Sequence, residues 1–238
     1  DVSGKGISGA ILMASCRSVL RTIAEGCKSP AATLRLLNAS LAADISEDMF
    51  ISMLYMALDV KNRTLAVARA GHESPLLFRS SNGSFEDLDL PGVAIGLADP
   101  SIFDHTLEET TVQLEPGDAL VAYTDGITEA MNADGEEWGV GDLRKAVRTS
   151  AGRGADEVLR SVTERLIRFV GGARQYDDMT MCCMTMSTPC AISARAASAS
   201  RGGSNHELTQ TTCISASGFT ARAARVAAFT PRMTSGIG

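Results

Sequence analysis

The apolar period of the chain changes at Met49, and that change narrows the folds open to it. Before it, Ile7 to Cys27 has the spacing of a helix, with Ile11, Leu12, Ser15, Val19 and Ile23 near one face. Ser29-Pro30 starts a second helix, because serine caps well and proline is tolerated in the first turn. Its stripe is Leu34, Leu37, Leu41 and Ile45. After Met49 the chain turns to strand formers. Met49 to Val60 and Thr64 to Ala70 are separated by the polar Lys61-Asn62-Arg63, which predicts an antiparallel hairpin. Gly71 to Pro75 interrupts the pattern and Leu76 to Arg79 resumes it.

Further along, Leu88 to Leu97 reads as an irregular crossing segment, and Phe103 to Leu114 alternates weakly as a strand would. A turn at Pro116 to Asp118 leads into the short apolar run Ala119 to Tyr123, the length of a buried strand. Val140 to Ser150 and Ala155 to Val170 are helical, the second carrying Val158, Leu159, Val162, Leu166 and Phe169 at helical spacing. Met179 to Met186 closes the pattern as a core strand. Helices, antiparallel strands, helices and a last strand make an α+β order, with helices on the outer faces of packed antiparallel sheet.

At Thr188-Pro189 the composition shifts to Ala, Ser, Thr, Gly and Arg. The segment 188–238 holds five arginines and one acidic residue, Glu207, so it carries about +4, and residues 1–187 carry about −10. It lacks a sustained apolar period and reads as a low-complexity, disordered tail with a short helix at Ala221 to Phe229. The net charge of −6 for the whole chain argues against nucleic acid as a partner. No apolar run approaches the ~20 residues of a membrane-spanning helix, so no membrane segment is expected. The six cysteines form no C-x-x-C pair, which favours reduced thiols in a cytoplasmic protein. The chain has no initiator Met and reads as a fragment or a processed product.

Asp125, directly after the strand Ala119 to Tyr123, is either the cap of a helix at Ile127 to Met131 or a ligand for a cation. Gly126 beside it permits a close approach or a positive φ. Asp1 and Asp177 share this setting, each at the junction of a loop and a regular element. Carboxylates converging at strand ends would repel one another unless a hard divalent cation neutralised them, and Mg²⁺ and Mn²⁺ favour such oxygen shells. Gly4 to Gly9 also fits G-x-G-x-x-G, but no strand precedes it and antiparallel strands follow, against a dinucleotide site. His72, in a turn, and Asp118, after Gly117, read as structural residues.

Six blocks recur in order: Asp1 to Ala10, Met49 to Tyr55, Ala68 to Leu77, Gly92 to Leu97, Leu114 to Ala130 and Tyr176 to Thr180. Together they resemble the SpoIIE/RsbU-type branch of the metal-dependent serine/threonine phosphatases, the PP2C-like superfamily, over nearly all of 1–187. The resemblance implies a central β-sandwich flanked by helices in four αββα layers. It also implies a two-metal Mn²⁺ or Mg²⁺ site and attack by metal-activated water on phosphoserine or phosphothreonine. Asp1 matches the bridging aspartate, the Val2 carbonyl its neighbouring ligand, Asp125 the aspartate of the Asp-Gly motif, and Asp177 the closing metal aspartate, with Asp178 second choice. The family's earlier Gly-Asp-x-x-Asp-like segment has no counterpart here, so the resemblance implies a domain lacking its first strands and one ligand. Implied partners are a phosphorylated STAS-type anti-anti-sigma protein and an upstream sensory or regulatory domain, and a homodimer is left open. The alternative is a truncated or degenerate module that binds a phosphoprotein without catalysis.

Overall fold

In this computed structural model residues 1–4, 6–26, 29–173 and 179–187 are described, together with the backbone of strands at 191–199, 209–216 and 224–226. In chain order the helices are α1 (Ile7–Gly26), α2 (Pro30–Leu41), α3 (Pro100–Thr106), α4 (Asp125–Thr128), α5 (Gly139–Ser150) and α6 (Ala155–Val170). The strands are β1 (Met53–Asp59), β2 (Thr64–Ala70), β3 (Leu76–Arg79), β4 (Ser84–Asp87), β5 (Glu109–Gln113), β6 (Ala119–Tyr123), β7 (Met179–Ser187), β8 (Ala191–Ala199), β9 (Thr209–Ala216) and β10 (Ala224–Val226). They divide between two compact units, each with its own antiparallel sheet and its own core.

The first unit takes Asp1–Ser74, Asp89–Gln113 and β10, with strand order β10-β1-β2-β5. The hairpin β1–β2 pairs Met53 with Ala70 and Asp59 with Thr64, as its polar turn predicts. Asp59 closes that turn by accepting the Asn62 N–H at 3.0 Å, and Arg63 takes a φ of 55° within it. α2 begins where serine and proline place it. Ser29 Oγ accepts the Ala32 N–H at 3.1 Å, and Pro30 occupies the first turn, where a missing N–H costs nothing. The carboxylate of Glu109 on β5 accepts from Ser29 Oγ at 2.6 Å and from the Ala31 N–H at 2.9 Å, tying the helix start to the sheet. Leu34, Leu37 and Leu41 of α2 are buried with Tyr55, Ala68 and Phe103, each large side chain contributing about 2 kcal/mol by leaving water.

α1 buries Leu12, Cys16, Leu20 and Ala24, so the stripe lies one residue beyond the expected one, and Ile11 is 62% exposed. Small Cys and Ala on the inner face let the helix approach closely, and this packing outweighs side-chain size as a guide. By length and composition α1 is also apolar enough to cross a membrane. This corrects the expectation that no such segment exists, which looked for unbroken apolar runs and passed over one interrupted by Ser15, Arg17 and Ser18. Two further corrections fall here. β1 starts at Met53, since Ile51 forms only isolated bridges to Val2 and Ile95. The stretch from Phe103, read as a strand, begins inside α3, which Asp99 caps by accepting the Ser101 N–H at 2.8 Å.

The second unit takes Pro75–Leu88 and Leu114–Ala221, with strand order β4-β3-β6-β7-β8-β9. Its core joins Val121 and Cys183 of the sheet to Leu143 and Val147 of α5 and Val158, Leu159, Val162 and Leu166 of α6. The turn before β6 is built on Gly117 and Asp118. Gly117 has a φ of 92°, and a Cβ there would lie 2.4 Å from Ser80 Oγ. Asp118 is 2% exposed, and its carboxylate accepts from Arg79 Nη1 at 2.9 Å, Ser80 N at 3.0 Å and Glu115 N at 3.1 Å. Glu86, on β4, is the main cause that holds the Arg79 guanidinium above its ordinary pKa; burial opposes it and Asp118 adds to it.

Within the segment read as a disordered tail the structure describes strands β8, β9 and β10. β8 pairs along the whole of β7, from Met179↔Ala199 to Ser187↔Ala191. An open strand edge accepts any backbone whose N–H and C=O groups are available, so low-complexity Ala and Ser suffice. The short helix expected at Ala221 to Phe229 meets β10 at 224–226, and the rest of that range lies outside the described residues.

Candidate functional site

Asp125 sits at the C-terminal end of β6, where strand gives way to the single turn of α4. The junction depends on the residue before it. In an ordinary ladder the Thr124 carbonyl would accept from the strand opposite. Here the Thr180 N–H donates instead to Thr124 Oγ1 at 2.9 Å, and the Thr124 N–H donates to the Thr180 carbonyl at 2.9 Å. The hydroxyl thereby stands in for the carbonyl in the sheet. The Thr124 carbonyl is left to accept the Ile127 N–H at 3.0 Å, which starts the turn.

This arrangement decides between the two sequence readings of Asp125 as far as capping goes. Thr124 is the residue at the cap position and Asp125 is the first helical residue. Among the described residues the carboxylate Oδ1 accepts only the adjacent Gly126 N–H, at 2.8 Å, and the Asp125 main-chain carbonyl takes the Glu129 N–H at 2.8 Å. The cap reading is therefore set aside. Gly126 is buried and helical, not in the positive-φ region. A single helical turn with a carboxylate at its start, beside the start of β7, is the described part of the site in this unit.

The antiparallel register of β6 and β7, Ala119↔Thr185 through Tyr123↔Met181, brings the end of β6 to the beginning of β7. Asp177 and Asp178 stand two residues and one residue before Met179, the first residue of β7, but they lie outside the described residues. In the first unit, Asp1 to Ser3 run antiparallel to Phe50 to Ser52. Ser3 N donates to the Phe50 carbonyl at 2.9 Å, Ser52 N to the Asp1 carbonyl at 2.8 Å, and Phe50 N to Ser3 Oγ at 2.6 Å. The Asp1 nitrogen donates to the Ser52 carbonyl at 2.8 Å. Val2 and Ile51 are thus a pair without mutual hydrogen bonds, and the Val2 N–H and C=O point away from Ile51.

The donors of both units are carboxylate and carbonyl oxygens, the chemistry that suits Mg²⁺ or Mn²⁺ and not a thiolate-seeking ion. Among the described residues no three His, Cys, Asp or Glu side chains converge as a metal cluster. His72 behaves as the turn residue expected of it: its Nδ1 lies 3.2 Å from the Glu73 carbonyl, and Arg69 Nη1 holds the His72 carbonyl at 2.7 Å. Asp118 is more than a turn residue, because it is a buried acceptor for Arg79. Thr124 carries no signal in the sequence beyond its place before Asp125; the pairing of β6 with β7 is what gives it a role.

Two antiparallel sheets, each with its helices, define an α+β fold of the PP2C type. The chain superposes on the SiaA PP2C domain of Pseudomonas aeruginosa with a TM-score of 0.66 over 76% of this chain and 71% of that one, at 23% identity. It matches RsbX, solved in complex with magnesium, with a TM-score of 0.53 over 75% and 74%, at 13% identity. Residues 1–187 match the model of the family described as Stage II sporulation protein E (SpoIIE), and the chain belongs to that family. Among curated relatives it is 27% identical over 183 residues to the phosphoserine phosphatase RsbU of Bacillus subtilis (strain 168). It spans 52% of the length of that relative.

Proposed function

We propose that this chain is the catalytic part of a metal-dependent protein phosphatase that hydrolyses phosphoserine or phosphothreonine on a signalling protein. The observation that carries the proposal is the Asp125–Gly126 turn, fixed at the end of β6 by the Thr124–Thr180 bonds, in a chain of the SpoIIE family. Asp1, the Val2 carbonyl, Asp125 and Asp177 would hold Mn²⁺ or Mg²⁺, with Asp178 second to Asp177. A fold neighbour, RsbX, is solved in complex with magnesium, in keeping with a divalent cation in this fold. When bound, such cations would supply Lewis acidity toward water and toward the phosphoryl oxygens. The chain's own part is positional. Thr124 sets where the Asp125 carboxylate starts its turn, and the Ser3–Phe50 bonds set where Asp1 and Val2 stand.

The name of RsbU, a phosphoserine phosphatase, supports a phosphoprotein substrate, here proposed as a STAS-type protein under the control of a regulatory domain. The thiols of Cys16 and Cys183, buried and outside any disulfide, are in keeping with the reducing, cytoplasmic setting proposed here. The test is phosphate release from a phosphoserine protein in Mn²⁺. The rate should fall on chelation and be restored by Mn²⁺, and Asp125→Asn should lower it ~100-fold or more, the scale of losing an electrostatic stabiliser. A rate indifferent to chelation would overturn the proposal.

A further inference from the structure

On the second unit a groove of about 480 Å³ runs along α6 and the turn that leads into it. Ligand pockets are mostly apolar. This one has no apolar side chain in its lining, which is dominated by Arg153, Arg160, Arg165 and Arg168 against Glu157 and Glu164. Arg160 is committed to an ion pair with Glu157, one helical step away. Arg165 reaches Thr149 Oγ1 at 3.2 Å, a neutral partner, and makes no ion pair among the described residues. The groove thus has a surplus of positive charge, on a domain whose residues 1–187 carry about −10.

The residue type and spacing say what would sit there. Guanidinium groups present planar forks that match carboxylates in pairs of hydrogen bonds. Each exposed pair is worth little, so useful affinity needs several in a row. From Arg160 to Arg168 is eight residues of helix, about 12 Å at 1.5 Å per residue. An extended peptide covers that length in about four residues at ~3.3 Å each. Acidic side chains spaced along such a segment would meet successive arginines. The acidic domain opposes every anion outside the groove, so a short acidic segment that ends with the arginines is favoured over a nucleic acid whose charge runs on past them.

We propose that the arginine-lined groove of α6 docks an acidic, extended segment of a partner protein. The inference does not rest on the phosphatase reading, since its readout is binding. The experiment uses a fluorescein-labelled hexaglutamate peptide with the full chain at low ionic strength, followed by anisotropy. A hexathymidylate oligonucleotide and inorganic phosphate serve as competitors. The expected result is saturable binding that weakens at least tenfold in Arg165→Gln/Arg168→Gln and weakens with salt. The control Arg17→Gln/Arg21→Gln on α1 should leave it unchanged. Glutamine removes the charge and keeps an aliphatic stem with a hydrogen-bonding end, so matching unfolding midpoints will show that the fold is intact, and Arg165→Lys/Arg168→Lys supplies a second pair should it not be. Absence of hexaglutamate binding overturns the proposal. So does equal binding by the glutamine pair, or displacement of the peptide by the oligonucleotide or phosphate at lower concentration than by unlabelled hexaglutamate.

Discussion

Thr124 and Thr180 exchange two hydrogen bonds of 2.9 Å, one through backbone alone and one through the Thr124 hydroxyl. Removing the hydroxyl leaves the Thr180 N–H without its acceptor, which costs ~1–3 kcal/mol. Thr124→Val should lower stability by about 2 kcal/mol in denaturant titrations. Thr124→Ser should restore it. The same valine should weaken Mn²⁺ binding in calorimetry, in keeping with the proposed role of Asp125. Unchanged Mn²⁺ affinity would limit the threonine to a role in folding.

Asp118 is a buried carboxylate whose loss takes the acceptor from two backbone N–H groups and one of its partners from Arg79, which keeps Glu86. Asp118→Ala should destabilise the chain by about 3 kcal/mol, the scale for breaking a buried ion pair by removing one partner. A change below 1 kcal/mol would mean that water or Glu86 takes over the Arg79 contact, given their present 2.9 Å hydrogen bond.

Two glycines with similar dihedrals separate strain from crowding. Gly135 has a φ of 79° with open space around its missing side chain, and Gly117 has a φ of 92° with Ser80 in the way. Gly135→Ala should cost about 1 kcal/mol for the left-handed backbone alone. Gly117→Ala should cost about 3 kcal/mol, because crowding adds to that strain. Equal losses in thermal unfolding would show that Ser80 yields freely.

Burial raises the Cys16 thiol to about 11 and raises Cys183 further. At pH 8 a thiol near 11 is about one part in a thousand thiolate, and the thiolate is the reactive form. Cys16 and Cys183 should therefore resist a disulfide reagent in the native protein and react once it is unfolded, as mass spectrometry of the labelled peptides would show. Because the folded state holds the Cys16 proton, its contribution to stability is complete below the ordinary value of 9.0 and is lost as the pH climbs through about 11. Rapid native labelling of Cys16 at pH 8 would contradict its burial.

Elements whose start carries a local chemical signal were legible in the sequence. Ser29-Pro30 placed α2, and the polar turn at Lys61 to Arg63 placed the β1–β2 hairpin. Ala119 to Tyr123 and Ala155 to Val170 appear with the bounds expected of them. α3 was missed although Asp99-Pro100 is a capping signal, because weak alternation after Phe103 was weighed above it. The inner face of α1 was misjudged because Cys16 and Ala24 are buried for their small size, which a count of large apolar residues overlooks. At the site, Asp125 could be found from its place after a strand. The exchange of a hydroxyl for a carbonyl at Thr124 could not, since it exists only once β6 and β7 are paired.

The path of the chain through its two units has a consequence for how such a protein is made and inherited. β3 and β4 belong to the second sheet, yet they are encoded between strands of the first. As the chain leaves the ribosome, this hairpin emerges before β6, the strand it must join, and waits for it with an open edge. A contiguous stretch of gene that holds the whole of either sheet also holds strands of the other. The two halves can therefore be lost or gained only together, and a breakpoint between residues 74 and 114 leaves neither sheet whole.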